Sequence, residues 1–350
     1  MVSPATSSTV RSQAPNVDMW RPAPEYARLA REAAVAMRAV DETVELVACG
    51  SSGLHMSTFG AWERTVLDVA GDTIDHLSLH HYVDRARWST VEGYLASPRE
   101  LDTLLDTVGA IVDEAVASGA IQRRIGLSVD EWNVWRITDH EDQVAASPVD
   151  AIHVVPPALA EDTHDLTDAL VVGCLLISLL RHADRVRIAC VAQLVNVIPL
   201  IRTVDGGPAW RQTTAHVFAM AARWARGVVL RLDLEGPMLT VPDEGKVPAI
   251  EATAVHDVVA GRLTIMAVNR STRPLQLALD VRRFGRVRVE GGASLDDPDP
   301  AAANSAGSPD RVVPRSMTGI RAVGGTVSAT LTPRSWTVLR ILVEPDGATT

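Results

Sequence analysis

Residues 124–133 read RIGLSVDEWN, a mainly apolar run that ends in two acidic residues, a tryptophan and an asparagine. Three similar runs, at 44–49, 74–83 and 186–197, alternate with segments of helical periodicity. Strands that are apolar throughout are typical of a parallel sheet that is covered on both faces. The four runs therefore predict consecutive parallel strands of an α/β fold.

The intervening segments predict helices at 25–40, 59–69, 100–117, 166–182 and 210–225. Four strands with their helices make about half of the βα units of a TIM (β/α)8 barrel. A doubly wound sheet is the alternative. No G-x-G-x-x-G sequence opens a helix, which disfavours a dinucleotide-binding fold.

The pattern changes after Gly227, where short strand-like runs are separated by turn-rich segments. Short strands separated by turns predict an all-β sandwich. The first residues are rich in Ser, Thr and Pro without periodicity, which predicts a disordered tail. We therefore divide the chain into a tail at 1–24, a partial barrel that carries the catalytic residues at 25–228, and a C-terminal β-sandwich domain at 229–350.

Composition narrows the possible partners. The formal net charge of −10 over 350 residues disfavours nucleic acid as a partner. The three cysteines lack metal-ligand spacing, which predicts reduced thiols in a cytoplasmic protein. Residues 1–18 contain no apolar run of signal-peptide length, and the longest apolar stretch, at 169–180, is too short to span a bilayer. We expect no cofactor, no metal and no membrane association.

Polar and aromatic residues crowd the ends of three predicted strands, in the segments 78–82, 128–135 and 190–196. Catalytic groups of barrel enzymes project from the C-terminal ends of the strands. If these strands are neighbours, the three segments build one pocket.

Each candidate residue also has a purely structural explanation. The acidic pair Asp130 and Glu131 is of a kind that most often lies on a solvated loop, and strand alternation would point the two side chains to opposite faces. Gln193, within an apolar run, needs a hydrogen-bond partner, which is either a sugar hydroxyl or the backbone. Trp132 and Trp135 are either core aromatics or, beside a carboxylate, a stacking surface for a sugar. The residues alone leave these alternatives open.

The segment DEWNVW at 130–135 resembles the nucleophile motif of the glycoside hydrolase family 51 α-L-arabinofuranosidases. Further segments resemble that family in the same order along the chain. They read ACGSS at 48–52, FGAWE at 59–63, LSLHHY at 77–82, DALVVG at 168–173, RHADRV at 181–186, QLVNVI at 193–198 and WRQT at 210–213. The likeness covers roughly residues 25–230 and continues more weakly through Trp336.

The resemblance implies a retaining α-L-arabinofuranosidase that hydrolyses terminal, non-reducing arabinofuranosyl residues. Retaining chemistry needs two carboxyl groups about 5–5.5 Å apart, one as nucleophile and one as acid and then base. Carried over by motif, Glu131 is the nucleophile, Tyr82 hydrogen-bonds it and His80 belongs to its supporting shell. Trp135 and Gln193 are expected to line the arabinose subsite.

Several positions depart from the family pattern. His81 stands where many relatives are expected to have glutamine, so no role is carried onto it. Arg136 stands where relatives tend to have tyrosine, and it is expected to alter the rim of the subsite. The family's acid/base glutamate follows an asparagine, and the matching segment here holds Asn16 followed by Val17. We therefore expect the C-terminal half of a barrel, with the N-terminal half and the acid/base residue missing.

Three hypotheses follow. In the first, the chain is an arabinofuranosidase polypeptide that is truncated or completed by a partner. In the second, it is a catalytically inactive half-barrel with a carbohydrate-binding or assembly role. In the third, it acts on another furanoside or a pyranoside. The expected partners are arabinose-containing oligosaccharides, together with further copies of the chain in a homo-oligomer or a complementary N-terminal half.

Overall fold

The computed structural model describes residues 22–137, 161–242 and 244–344. Its first sheet has four strands, which lie side by side in chain order, and every neighbouring pair is parallel. The strands are β1 Val47–Ala48, β2 His76–Val83, β3 Gly126–Val134 and β4 Val186–Val191. The predicted parallel sheet is confirmed, and the carboxyl ends of its strands share one edge.

Helices connect and cover these strands. They are α1 Ala23–Val40, α2 Ala61–Ala70, α3 Val91–Ala96, α4 Arg99–Ala117, α5 Leu166–Arg181 and α6 Thr213–Trp224. The predicted tail at 1–24 is wrong at its end, because α1 already begins at Ala23. Proline in the first turn of a helix is favoured because its φ is preset and its missing N–H is not needed there, and Pro24 occupies that turn. Residues 1–21 lie outside the described residues.

Helix α5 is apolar on all sides, and every residue from Leu166 to Leu179 is buried. A helix without a polar face is stable only when other elements surround it. Its first turn is fixed by a reciprocal cap, in which the Asp165 carboxylate accepts from the Asp168 N–H at 3.0 Å and the Asp168 carboxylate from the Asp165 N–H at 2.9 Å. Within the described ranges, no helix, α5 included, has the length and apolarity that crossing a membrane requires.

The rest of the chain is built from antiparallel strands. Two hairpins pair β5 Ile201–Thr203 with β6 Ala209–Arg211, and β8 Met238–Val241 with β9 Gly245–Pro248. The remaining strands are β7 Val228–Leu230, β10 Ile250–Asp257, β11 Arg262–Asn269, β12 Leu275–Asp280, β13 Val287–Leu295, β14 Arg315–Ser316, β15 Arg321–Val323, β16 Thr326–Leu331 and β17 Ser335–Val343. They form one sheet in the order β14-β13-β17-β11-β10-β7 and another in the order β12-β16-β15. The predicted all-β part is confirmed, while the boundary between 228 and 229 stays a prediction.

The larger antiparallel sheet is buried on both faces. Along β11, Ile265 and Ala267 belong to the core between the two antiparallel sheets, whereas Met266 and Val268 belong to the core around α5. This division follows from the alternation of side chains along a strand. Helix α5 therefore joins the parallel sheet to the β-sandwich.

Strand β4 differs from its prediction. It ends at Val191 rather than at 197, and its residues are half-buried or exposed instead of buried. Within the described residues β4 pairs only with β3, so no further strand pairs with its outer edge. At the opposite edge of the sheet, Val47 of β1 is 43% exposed.

Replacing Gly173 by alanine tests the packing of α5 on the sandwich. The added Cβ atom would lie 2.7 Å from Trp336 Cε3 and 3.1 Å from Val268 Cγ2. Overpacking a closed core costs about 1–3 kcal/mol, and the better helix propensity of alanine offsets at most about 1 kcal/mol. We expect urea denaturation to show a net loss of about 1–2 kcal/mol in the free energy of unfolding.

The matched control is Gly236→Ala, because a Cβ atom at that position meets no atom within 4 Å. It should change the free energy of unfolding by less than about 0.5 kcal/mol. A stabilising Gly173→Ala substitution would show that α5 and Trp336 are not in close contact.

Candidate active site

A β-bulge sets the direction of the two acidic side chains Asp130 and Glu131. Leu79 of β2 pairs with Val129, but the next residue, His80, pairs with Glu131, so Asp130 is an extra residue in β3. The expected opposite orientation of the two carboxylates is therefore wrong, because a bulge interrupts the alternation and re-aims side chains. Both carboxylates contact one imidazole ring: His80 Nε2 lies 3.4 Å from Asp130 Oδ1, and His80 Nδ1 lies 3.4 Å from Glu131 Oε2.

The Tyr82 hydroxyl donates a hydrogen bond to Glu131 Oε2 at 2.9 Å. Burial raises the pKa of Tyr82 well above its ordinary value, and the bond to Glu131 raises it further. Tyr82 therefore remains a protonated donor at neutral pH. The Glu131 side chain is 48% exposed, so a ligand can reach its carboxylate.

Ser78 hydrogen-bonds one member of the acidic pair. Its hydroxyl donates to Asp130 Oδ1 at 2.7 Å, and the same oxygen lies beside His80 Nε2. Asp130 thus connects Ser78 to His80 and fixes the ring that contacts Glu131. Sequence reasoning assigned no role to Ser78 and considered Asp130 only as a member of the acidic pair, because the contact between the two residues depends on the bulge.

Alternation after the bulge places the two tryptophans on opposite faces of β3. Trp132 is fully buried, with its ring centroid 6.2 Å from that of Phe218, so it is a core residue. The Trp135 ring lies at the site, edge-on to Tyr82 with a centroid distance of 5.2 Å and an interplanar angle of 67°. Its Nε1 atom is buried and has no hydrogen-bond partner among the described residues.

Gln193 lies beyond the carboxyl end of β4, at the same end of the strands as Tyr82 and Glu131, and it is exposed. The expectation that it needs a partner to offset desolvation is therefore wrong. The loop that carries it is held by buried Asn133, whose Nδ2 donates to Ala192 O at 2.6 Å and to Ile198 O at 2.8 Å. Sequence reasoning missed Asn133, although its position two residues after Glu131 was a signal.

Arg136 takes part in a buried ion-pair cluster. Its guanidinium lies 3.3 Å from Asp168 Oδ2, and Asp168 Oδ1 accepts from the Tyr94 hydroxyl at 2.8 Å. Arg85 donates to Asp165 at 2.6 Å in the same cluster. Arg136 thus joins the end of β3 to the start of α5, and the expected alteration of the subsite rim stays a prediction.

His81 points away from His80 and Tyr82, as alternation along β2 requires. It is 5% exposed, and its Nε2 atom has no hydrogen-bond partner among the described residues. Burial lowers the pKa of His81 to about 4, with Arg87 and His55 contributing to the shift. The described part of the chain contains no group of three or more His, Cys, Asp or Glu residues that could hold a metal ion.

A carboxylate at the end of a parallel strand, supported by tyrosine and histidine and flanked by an aromatic ring, is typical of the barrel class of glycoside hydrolases. The sequence family model of the α-L-arabinofuranosidase C-terminal domain matches residues 130–335, which is more than half of the chain. The chain belongs to this family.

Relatives and solved structures agree with this assignment. An intracellular exo-α-(1→5)-L-arabinofuranosidase of Streptomyces lividans is 44% identical over 322 residues, which cover 91% of this chain and 47% of the relative. A protein of the same name from Halalkalibacterium halodurans is 40% identical, with 91% and 62% covered. The structure of a family 51 α-L-arabinofuranosidase from Bifidobacterium longum superposes with a TM-score of 0.83 at 38% identity, covering 92% of this chain and 64% of that one. The chain thus spans about half to two thirds of the length of these proteins.

Replacing Asn133 by alanine should destabilise the fold, because two buried carbonyl groups lose their donor. Each unsatisfied buried group costs about 1–3 kcal/mol, so we expect a loss of about 2–4 kcal/mol in the free energy of unfolding, measured in urea. The control Gln193→Ala removes an exposed amide from the loop that Asn133 holds, and it should stay within about 0.5 kcal/mol of the native value. Equal losses in the two variants would refute the assigned role of Asn133.

The free energy of unfolding should decrease as the pH is lowered, because His81 is held neutral in the folded chain. Between pH 6.5 and about 4 the unfolded chain binds a proton on this side chain that the folded chain does not bind. His81 therefore does not reduce the free energy of unfolding above pH 6.5. Below that pH it reduces the free energy of unfolding progressively, until the folded chain also binds the proton near pH 4. Relative to His81→Gln, the native chain should lose about 2 kcal/mol more between pH 7 and pH 5, measured by urea denaturation. Parallel pH profiles of the two chains would contradict the buried, neutral state of His81.

Proposed function

We propose that this chain carries the nucleophile side of a retaining α-L-arabinofuranosidase that releases terminal, non-reducing arabinofuranosyl residues. The observation that carries this proposal is the hydrogen bond from Tyr82 to Glu131 at the carboxyl edge of the parallel sheet. The names of the relatives support the substrate class, since they are exo-acting α-L-arabinofuranosidases.

In the first step, one oxygen of the Glu131 carboxylate attacks the anomeric carbon of the arabinofuranosyl unit. The glycosidic C–O bond breaks, and the leaving oxygen takes a proton from the acid/base carboxyl group. In the second step, water gives a proton to that same group and attacks the glycosyl-enzyme, which frees Glu131 with retention of configuration. Because Tyr82 donates to Oε2, the other carboxylate oxygen, Oε1, is the proposed attacking atom.

The neighbouring side chains have distinct roles in this proposal. His80, held by Asp130, fixes the position of the carboxylate without reacting itself. Trp135 and Gln193 line the arabinose subsite, the first through its ring and the second through its exposed amide. Asn133 is a positioning residue, because it acts on the substrate only through the loop that carries Gln193.

The acid/base group is proposed to come from the part of the relatives' length that the chain does not span. A complementary N-terminal half that carries this group would then contact the open edges β1 and β4, whereas another copy of the chain would cover these edges without supplying the group. A partner at these edges would cover exposed apolar side chains such as Val47 and Val195, which are 43% and 44% exposed. A cytoplasmic location is proposed because the relatives are named intracellular.

We expect the 350-residue chain alone to hydrolyse an aryl α-L-arabinofuranoside at a rate close to background. General acid catalysis contributes about 10²–10⁴-fold, and that contribution would be absent. Adding the N-terminal part of a relative should restore turnover, measured by release of the aryl group. Glu131→Gln should abolish the restored turnover.

The matched control is Glu235→Gln, since Glu235 is an exposed carboxylate remote from the site in sequence and should leave the restored turnover unchanged. Robust hydrolysis by the chain alone would refute the proposed origin of the acid. Sugar binding without turnover in a complex that does form would favour the inactive half-barrel.

A further inference from the structure

A second concave site lies at the carboxyl end of β2, next to Tyr82. The cavity has a volume of about 270 Å³, and its walls are the loop 52–56 after β1, then His81, Tyr82, Arg87 and Glu100. Ser51, the residue before this loop, is bonded to β2 by a hydrogen bond from His80 N–H to Ser51 O at 3.3 Å. The cavity is therefore a built feature of the fold, and neither the mechanism nor the family resemblance uses His81.

The lining leaves a polar atom without a partner. His81 is 5% exposed, and its buried Nε2 atom makes no hydrogen bond to any described residue. A buried polar group without a partner costs about 1–3 kcal/mol. A ligand group in the cavity that exchanges a hydrogen bond with this imidazole would remove that cost.

The charges around the cavity favour a neutral ligand. Arg87 Nη2 lies 3.4 Å from Glu100 Oε1 and donates to His55 Nε2 at 2.9 Å. The guanidinium and the carboxylate neutralise each other, so neither an anion nor a cation finds an uncompensated partner. Leu54 and Met56 add apolar surface beside these donors and acceptors. Such a mixed lining fits the hydroxyl groups and C–H faces of a sugar.

We propose that this cavity is a second sugar-binding site, which takes a free pentose or one unit of an oligosaccharide through His81. Its volume is slightly below the range of about 300–1,000 Å³ for drug-sized ligands, which suits a single monosaccharide. Tyr82 lines this cavity and its hydroxyl donates to Glu131, so one residue connects the cavity to the nucleophile. That this sugar is part of the substrate rests on the proposed function.

Calorimetric titration of the full chain with L-arabinose and with an α-(1→5)-linked arabinobiose tests the proposal. His81→Leu has no ring nitrogen and should bind at least one of these sugars about tenfold more weakly than the native chain. His81→Gln keeps a donor and an acceptor and should bind within about threefold of the native chain. If His81→Leu binds L-arabinose more weakly than the native chain does, a free pentose is sufficient as the ligand. If only its affinity for arabinobiose is reduced, the ligand is a unit of an oligosaccharide.

Glu100→Ala, at the start of α4, is a second variant that tests the cavity if His81→Leu does not fold, and it should also weaken binding. Equal affinities of the native chain and of every foldable cavity variant, or no detectable binding by the native chain, would overturn the proposal. Gln193→Ala separates this outcome from a failure of the proposed function. If only the cavity variants lose affinity, the arabinose subsite beside Glu131 is wrong; if only Gln193→Ala does, the cavity site is wrong.

Discussion

The burial of helix α5 is the interaction on which the rest of this structure depends. The helix has no polar face, so its apolar surface must be covered on every side. The strands β3 and β4 contact it on one side, and β10, β11 and β17 of the sandwich contact it on another. At its end, Arg181 forms an ion pair with Glu251 of β10, and Arg270 contacts the same carboxylate at 2.6 Å. One helix thus fixes the relative position of two sheets that differ in topology.

The other end of α5 links this packing to the candidate active site. Asp165 and Asp168 cap the helix, and the same carboxylates bind Arg85 and Arg136. These arginines follow the ends of β2 and β3 by two residues, so the cap positions the loops beside Tyr82 and Glu131. Buried charges of this kind cost desolvation unless they are paired, and the cluster pairs each carboxylate with a guanidinium. The order of the loops therefore depends on the same helix as the core.

Much of this fold could be predicted from the sequence, and the failures have physical causes. Apolar runs such as 124–133 predict parallel strands because both faces of such a strand are covered. Strand β4 was predicted to be buried because its residues are apolar, but burial depends on neighbours, and a sheet edge leaves no trace in composition. The bulge at Asp130 is equally hidden, because one extra residue changes pairing without changing residue type. Once Glu131 is known to face the site, alternation along the strand assigns Trp132 to the core and Trp135 to the site, although the sequence left both open.

The proposed division of the reaction between polypeptide segments agrees with where the supporting contacts lie. Every contact described for the Glu131 carboxylate comes from β2, through the Tyr82 hydroxyl and the His80 ring. Because β2 and β3 pair in the interior of the sheet, this support stands between two other strands and does not depend on the open edges. The proposed acid/base group, by contrast, has to approach from outside the described sheet. A partner that supplies it would therefore complete the site without rebuilding the nucleophile, which explains how the two carboxyl groups of a retaining enzyme can be positioned by separate halves of a barrel.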